Sequence, residues 1–584
     1  MTRHTADYDE ALLAEARADL AAGRHLEAAE GFRRLLAQAP ADARGLSGLG
    51  LALNALNKPD EAVKCFVQSL KAVPDQADVL YNFGLSLKKL NRLDLAGQAF
   101  RESARCDPAG TVALKALGLN LQAQGQAEAA VEAYRRALRI DPDDAEILAL
   151  LIYQLRQTCD WTGIEALEQR LLSLVRRGAA DVPPFILLTI DSEPADQLAV
   201  ARAWSRWREV AAAARLPPVP AKARVEGERL RVGYLSADYH EHATAYLVVE
   251  LFERHDRAAF EIFAYSSGPD DVSPMRRRLL AAVDHFVPVR ALSDRDAAAR
   301  IRSDGIDILV DLKGYTQGTR AGILAFRPAP VQVSFLGYPG TSGAGFVDWL
   351  IADAVVIPPG HQRFYSERLA LMPGCYQPND RQRPIAEPPP GRAECGLPDE
   401  GFVFCCFNSA YKLTPAFFAL WMRLLLRVPG SVLWLFASNP WVELALRNRA
   451  VAAGVGADRL VFARDLPLAR HLARYRLADL VLDTLPYGGH TTVSDALWAG
   501  APAVTCAGAG FPGRVAASLL TAIGLPGLIA ASPAEYEALA LSLALDPVRL
   551  GGVRAVLAGN RLTTPLFDTE RYTRDLEALY RAMV

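Results

Sequence analysis

The segment LDTLPYGGHTTVSDALWAG, residues 482–500, has the composition of a loop that binds an anion. It follows a predicted strand that ends near Asp483, and a glycine pair lets the backbone approach a ligand closely. Thr491 and Thr492 then open a predicted helix that carries Asp495 in its first turn. Free N–H groups at a helix start, together with two hydroxyls, suit a diphosphate. Taken alone, the motif also fits an ordinary capped helix.

Three basic side chains come from neighbouring segments of the same half of the chain. Lys412, in FNSAYKLTP, precedes a helix signalled by Thr414 and Pro415, where a cation would neutralise a leaving diphosphate. His471 and Arg474 lie three residues apart, on one face of a predicted helix. The alternative for all three is a solvated basic surface.

Further candidates follow strands predicted earlier in the chain. The loop after LRVGYLS carries His240 and His242, and GYPGTSG at 337–343 follows the run VQVSFL. A glycine-rich turn after a buried strand is common, so the second motif indicates a sugar or phosphate site only as part of the whole set.

Two further motifs resemble known ligand-binding patterns, but we predict no ligand at either of them. GAGFPG at 508–513 matches the dinucleotide pattern, but Pro512 interrupts it and no acidic residue follows at the required distance. Asp294 and Asp296 form a D-x-D pair inside a charged helical segment, where a solvated helix start is expected. The eight cysteines include no C-x₂-C pair. We therefore expect no metal site and no cofactor.

The first 150 residues repeat every 34 residues. Prolines recur at 40, 74, 108 and 142, and alanine, glycine and aromatic positions keep the same step. This period is that of the tetratricopeptide repeat, a helical hairpin that stacks into a superhelix. The groove of such an array usually holds an extended peptide, so we expect a polypeptide partner there. A purely structural array or a dimerisation surface is the alternative.

After residue 228, short β-rich runs alternate with helical patterns, as in two doubly wound α/β lobes. The polar, proline-rich stretch 378–398 separates the lobes, and PPVPAK at 217–222 separates them from the array. We predict a repeat array at 1–150, a helical cap and linker at 151–228, a first lobe at 229–390 and a second lobe at 391–584. Ligands of such sheets bind at the carboxyl ends of the strands.

Composition excludes several classes of partner. The 584 residues carry 64 Lys and Arg against 66 Asp and Glu, a net charge of −2, so no global field would attract nucleic acid or an anionic membrane. Residues 1–20 lack the apolar core of a signal peptide, and the sequence contains no apolar run of about 18 residues. We expect a cytoplasmic protein with no membrane partner. A homodimer stays open.

The order of these motifs resembles the O-linked N-acetylglucosamine transferase family over nearly the whole chain. The resemblance rests on the repeats followed by RLRVGYLSADYHEHATAYL, FRPAPVQVSFLGYPGTSG, FNSAYKLTP, LADLVLDTLPYGGHTTVSDALWAG and RVAASLLTAIG. It implies a GT-B fold and an inverting, metal-independent transfer of N-acetylglucosamine from UDP-GlcNAc to Ser or Thr hydroxyls of intracellular proteins. The short array suggests a bacterial relative.

The resemblance also assigns roles to residues of this chain. It places Lys412, Thr491 and Thr492 at the diphosphate, His490 beside the donor sugar, Asp495 at the ribose and His471 at the uracil, with Arg474 behind it. It places His242 and His285 on the acceptor side, and Leu336 and Gly337 beside the sugar. An imidazole near a diphosphate is expected to be a cation or a hydrogen-bond donor with a raised pKa, so the general base stays unassigned.

The sequence departs from the animal members at two donor-site positions. Ser409 stands where they carry glutamine, and Leu468 stands where they carry a lysine that contacts the ribose. An O-fucosyltransferase using GDP-fucose, an asparagine glucosyltransferase and a catalytically silent repeat scaffold are the alternatives. GYPGTSG and GGHTT favour the N-acetylglucosamine branch, and the joint presence of Lys412 and the GGHTT loop argues against the scaffold.

Overall fold

The structure, a computed structural model, describes residues 2–213, 227–437 and 439–584. It divides into two compact units, Met1–Leu155 and Arg156–Val584. The predicted boundary at 217–222 lies outside the described residues, and the division of the second unit at 228 and 390 stays a prediction. No helix in these three ranges is long and apolar enough to cross a bilayer.

The first unit is a row of helical hairpins, which confirms the repeat array. The second helix of each hairpin ends two residues before one of the periodic prolines, because the residue before a proline disfavours the helical conformation. The helices are α1 (Thr2–Ala21), α2 (His25–Gln38), α3 (Ala43–Ala55), α4 (Pro59–Ala72), α5 (Ala77–Lys89), α6 (Leu93–Cys106), α7 (Val112–Ala123), α8 (Ala127–Ile140) and α9 (Ala145–Gln157).

The periodic glycines and aromatic residues meet within each hairpin. A Cβ atom added to Gly84 in α5 would lie 2.5 Å from the ring of Phe100 in α6. Gly118 stands in the same relation to Tyr134, at 2.3 Å. The glycine of the first helix therefore leaves room for the buried ring of the second, and this packing explains why both residue types recur every 34 positions.

The second unit begins with α10 (Ile164–Arg176), α11 (Pro184–Leu187) and α12 (Pro194–Ala213), and its first lobe then forms around a parallel seven-stranded sheet. The elements of this lobe are β1 (Leu230–Ser236), α13 (Ala243–Arg254), β2 (Phe260–Ser266), α14 (Pro274–Ala281), β3 (His285–Pro288), α15 (Asp294–Ser303), β4 (Ile308–Asp311), α16 (Ala321–Ala325), β5 (Val331–Ser334), β6 (Trp349–Asp353) and β7 (Arg368–Met372).

The second lobe forms around a parallel six-stranded sheet. Its elements are β8 (Val403–Cys406), α17 (Pro415–Arg427), β9 (Val432–Phe436), α18 (Pro440–Ala452), β10 (Leu460–Ala463), α19 (Leu468–Arg474), β11 (Leu480–Leu482), α20 (Thr491–Ala499), β12 (Ala503–Cys506), α21 (Val515–Ala522), β13 (Ile529–Ala530), α22 (Pro533–Leu545), α23 (Pro547–Asn560) and α24 (Thr569–Met583). The last helix returns to the first lobe, where Glu577 pairs with the buried His255 at 3.0 Å.

Both sheets have the doubly wound strand order. The first runs β3-β2-β1-β4-β5-β6-β7 and the second runs β10-β9-β8-β11-β12-β13. In each sheet the order reverses between two adjacent strands, β1 and β4 in the first and β8 and β11 in the second. The loops at the carboxyl ends of these strands border a crevice, which is where ligands of open α/β sheets bind.

Candidate donor-binding site

Lys412 and the loop after β11 meet at the switch point of the second sheet. The Lys412 ammonium donates a hydrogen bond of 2.8 Å to the Gly488 carbonyl and lies 4.3 Å from the centroid of the Tyr487 ring. The side chain is buried, and this burial lowers the pKa of Lys412 to about 8, although the nearby Asp483 carboxylate opposes the shift. The site thus holds an ammonium that has no directly bonded carboxylate in the part of the chain described.

Asp483 anchors the loop whose residues are predicted to bind a diphosphate. Its Oδ1 accepts hydrogen bonds from the Gly489 amide at 2.5 Å and from the Asn408 side chain at 3.2 Å, and its Oδ2 accepts from Thr505 at 2.7 Å. Asn408 in turn accepts from the Thr492 hydroxyl at 2.5 Å. A Cβ atom at Gly489 would lie 2.7 Å from that hydroxyl oxygen, so only glycine fits there.

His490 lies immediately before α20 and is held on two sides. Its ring stacks on Tyr487, with 5.0 Å between centroids, and its Nε2 lies 3.1 Å from the Pro512 carbonyl, to which it donates. Burial, reinforced by the Lys412 charge, lowers the pKa of His490 well below its usual value, so the ring is neutral. Pro512 belongs to the GAGFPG loop, which therefore supports this site from behind.

Thr491 and Thr492 form the first turn of α20 and are half-buried. The first N–H groups of a helix have no acceptors within the helix, so they are available to an anion. Together with the Lys412 ammonium, they give this end of the sheet the donors that a diphosphate needs.

His471 and Arg474 pair with each other rather than forming a solvated basic surface, with Arg474 buried and His471 half-buried. The Arg474 guanidinium donates to His471 Nδ1 at 2.5 Å and lies 4.6 Å from the centroid of the Phe407 ring. Burial, with the adjacent Arg474 charge, lowers the pKa of His471 to about 3. The imidazole is therefore a neutral ring. Its Nδ1 accepts from Arg474, so its Nε2 carries the proton. Ser409, by contrast, is exposed at the start of the turn that holds Lys412.

Asp495 lies one turn further along α20 and is buried with Arg383, whose Nη1 donates to its Oδ1. Burial raises the pKa of Asp495, and the Arg383 charge opposes this shift. Arg383 belongs to the polar stretch between the lobes, which sequence analysis interprets only as a connection.

His242 follows β1 at the switch point of the first sheet and caps α13. Its Nδ1 accepts a hydrogen bond of 3.1 Å from the Thr244 amide and lies 3.5 Å from Asp238. Asp238 forms a buried ion pair with Lys313, which follows β4, at 2.8 Å. Burial lowers the pKa of His242, while Asp238 opposes that shift. Desolvation therefore outweighs the carboxylate in the ligand-free protein, and the rise in pKa expected beside a bound diphosphate stays a prediction.

Leu336 and Gly337 follow β5 and are packed tightly against the neighbouring loop. Leu336 has a positive φ of 71° and is buried. A Cβ atom at Gly337 would lie 2.1 Å from the Leu312 carbonyl oxygen, so the close approach of the two loops requires glycine. Both residues lie at the carboxyl side of the first sheet, as a sugar-facing turn requires.

His285 has no other predicted site residue among the contacts described for it. It is the first residue of β3, at the amino end of the edge strand, where it pairs with Glu261 at 2.8 Å and stacks on Phe263. Its register places it level with Gly233 in the middle of β1, and none of the contacts described for it reaches His242, so the acceptor-side role of His285 stays a prediction. Asp294 and Asp296 lie in the first turn of α15, as expected of a helix start.

Sequence reasoning passed over several side chains that build the site. Tyr487, Asn408, Lys313 and Arg383 each contact a predicted residue or its loop. Asn408 and Tyr487 stand inside the quoted motifs, and their positions directly after β8 and β11 were the signal that could have identified them.

Two doubly wound parallel lobes, with polar groups at both switch points, define the GT-B class of fold. The sequence model of glycosyl transferase family 41 matches residues 208–387 and 388–576. Sequence models of the tetratricopeptide repeat match residues 13–63, 55–111 and 118–151. The chain therefore belongs to glycosyl transferase family 41.

Similar proteins include a probable UDP-N-acetylglucosamine–peptide N-acetylglucosaminyltransferase of Arabidopsis thaliana, 37% identical over 74% of this chain and 46% of that protein. A Caenorhabditis elegans protein named for the same activity is 30% identical over 61% of this chain and 41% of its own length. This chain thus spans less than half of these relatives. A solved structure of a Thermobaculum terrenum O-GlcNAc transferase mutant is 30% identical, with a TM-score of 0.63 over 93% of this chain and 97% of that one.

Proposed function

We propose that this protein is an inverting glycosyltransferase that moves N-acetylglucosamine from UDP-GlcNAc to Ser or Thr hydroxyls of proteins. The observation that carries the proposal is the buried Lys412 ammonium, hydrogen-bonded at 2.8 Å to the loop that opens α20. The membership of family 41 and the names of the relatives support the choice of UDP-GlcNAc as donor and of a polypeptide as acceptor.

In the proposed reaction, the acceptor oxygen forms a bond to the anomeric carbon while the bond from that carbon to the diphosphate oxygen breaks. The electron pair of the broken bond stays on UDP, and the hydroxyl proton leaves to a base that we do not assign. Lys412 and the first N–H groups of α20 stabilise the charge that develops on UDP. We propose that these groups replace a divalent cation and that no cofactor takes part.

We propose that His242 acts as a hydrogen-bond donor through Nε2 and not as a base through that nitrogen. Because its Nδ1 accepts from the Thr244 amide, the neutral ring carries its proton on Nε2. We propose that this N–H donates a hydrogen bond on the acceptor side of the sugar. We retain His471 as the neutral ring beside the uracil, and Leu336 and Gly337 as the turn beside the sugar.

Calorimetric titration tests the donor assignment. UDP should bind saturably, and GDP should bind much more weakly, if the base site is built for uracil. GDP binding in the absence of UDP binding would instead favour the fucosyltransferase alternative.

The pH dependence of UDP binding should report Lys412. The pKa of Lys412 is about 8 in the free protein, and a bound diphosphate raises it, so binding above pH 8 takes up a proton. UDP affinity should therefore fall by up to about tenfold per pH unit above pH 8. Calorimetry in buffers of different ionisation enthalpy at pH 7 to 9.5 measures this uptake. Lys412→Met should abolish it, and an unchanged uptake in that variant would assign the proton to another group.

We propose that the repeat array recruits the polypeptide acceptor. Deleting residues 1–144 should then lower transfer to intact proteins by about 100-fold, the scale of a lost second attachment, with UDP affinity retained. Transfer to protein and UDP binding are measured on the same preparation. An equal loss of both would mean that the array serves mainly to stabilise the catalytic half.

A further inference from the structure

The segment that joins the two sheets is fixed to both lobes. Within residues 378–383, Asp380 pairs at 2.6 Å with Arg278 of α14 in the first lobe, and Asn379 accepts a hydrogen bond from Ser494 of α20 in the second. The segment therefore reaches the donor-binding helix directly.

Arg383 ends this segment and is held from three directions. Its Nε donates to the Asp380 carbonyl at 2.9 Å, and its guanidinium lies 5.7 Å from the centroid of the Trp498 ring. The Trp498 indole also donates to the Arg383 carbonyl at 3.2 Å. The arginine is only 3% exposed, so its position is determined by packing as well as by charge.

The contact between Arg383 and Asp495 is one-sided. Nη1 of Arg383 donates to Oδ1 of Asp495, whereas Nη2 has no acceptor among the residues that the structure describes. No described residue donates to Oδ2 of Asp495. A purely structural arginine–carboxylate pair commonly uses both branches, so this geometry holds the carboxylate and leaves one of its oxygens for another donor.

Asp495 also lies close to the first lobe. Burial and the hydrogen-bonded Glu241 raise the pKa of Tyr246 on α13, and the Asp495 charge adds a smaller contribution. Helix α13 is the one that His242 caps. Asp495 is thus within electrostatic range of the helix that His242 caps.

We propose that Arg383 is a positioning residue of the donor site, which holds the Asp495 carboxylate in place to accept hydrogen bonds from the ribose hydroxyls of a nucleoside diphosphate sugar. The inference rests on the proposed function. Without the arginine, Asp495 is a buried carboxylate with no partner, so it turns away or takes up a proton.

Ribose recognition can be isolated with a nucleotide that lacks both hydroxyls. The affinities of UDP and of 2′,3′-dideoxy-UDP are measured by calorimetry for the wild type and for Arg383→Met. In Arg383→Met, UDP affinity should fall about 10- to 100-fold relative to the wild type, the scale of one lost charge-assisted hydrogen bond. The affinity of this variant for the dideoxy nucleotide should equal that of the wild type. The wild-type preference for the ribose should therefore disappear. Equal weakening of both nucleotides, or no weakening of either, would overturn the inference.

Arg381→Met is the matched control. Arg381 lies in the same segment, 35% exposed, and pairs with Glu250 and Glu570 rather than with α20. Its loss should leave the ribose preference intact. If Arg383→Met does not fold, Arg383→Gln decides the matter. Glutamine keeps a polar, hydrogen-bonding side chain but lacks the positive charge that holds Asp495, so a reduced ribose preference supports the inference and a full one overturns it.

A double variant separates positioning from stability. In an Asp495→Asn background, Arg383→Met should cause no further loss of UDP affinity, because the group that it positions is already neutral. A further loss would overturn the inference. Failure of the wild type to bind UDP at all would overturn the proposed function itself, so the two failures are distinguishable.

Discussion

Lys412→Ala should lower kcat by about two to three orders of magnitude, the cost of removing one charge-stabilising group at a leaving oxygen. Charge on the diphosphate grows as the bond to the sugar breaks, so the ammonium stabilises the transition state more than the bound donor. Lys412→Arg should also have a low kcat, because the larger planar guanidinium does not reproduce a point charge at 2.8 Å from the Gly488 carbonyl.

The fold should survive this substitution. Lys412 pairs with a backbone carbonyl and a tyrosine ring, so its removal leaves no buried carboxylate without a directly bonded partner. The melting temperature of Lys412→Ala provides the control. Normal melting together with near wild-type kcat would remove Lys412 from the mechanism.

Asp483→Ala should abolish UDP binding and also destabilise the protein. The carboxylate accepts from Gly489, Asn408 and Thr505, and each buried donor left without a partner costs about 1–3 kcal/mol. The loop at 488–492 then loses its anchor, so the helix start and the Gly488 carbonyl move away from Lys412. Thermal unfolding and calorimetric titration with UDP measure the two effects.

Asp479→Ala is the matched control for this prediction. Asp479 lies just before β11, at its amino end, where it accepts from the Val403 amide at 2.8 Å and pairs with Arg554. Its removal should lower the melting temperature without changing UDP affinity. If Asp483→Ala binds UDP as the wild type does, the loop does not depend on this anchor.

The sequence predicts the elements well because local physical rules determine them. The 34-residue step of the prolines marks the ends of helices α2, α4, α6 and α8, and continuous apolar runs such as VFCCF form buried parallel strands. Lys412, His242 and His490 could be found because each follows a strand at a switch point. Motif order within the family supplied their expected roles.

Pairings between distant residues could not be predicted in this way. Arg383 and Asp495 are 112 positions apart, and Asp238 and Lys313 are 75 positions apart. No periodicity connects such charges, because the topology of the sheet alone brings them together. His285 is a different case, because its expected role rests on the family motif alone and the structure pairs it with Glu261 on the edge of the first sheet.

Transfer from three donors tests the central claim most directly. The full chain is incubated with protein and peptide acceptors and with UDP-GlcNAc, UDP-glucose or GDP-fucose separately, with EDTA present, and both nucleotide release and labelled residues are measured. We predict UDP release and labelled Ser or Thr from UDP-GlcNAc, undiminished by EDTA. Labelling from GDP-fucose, labelling of asparagine from UDP-glucose, or no labelling from any donor would contradict the account.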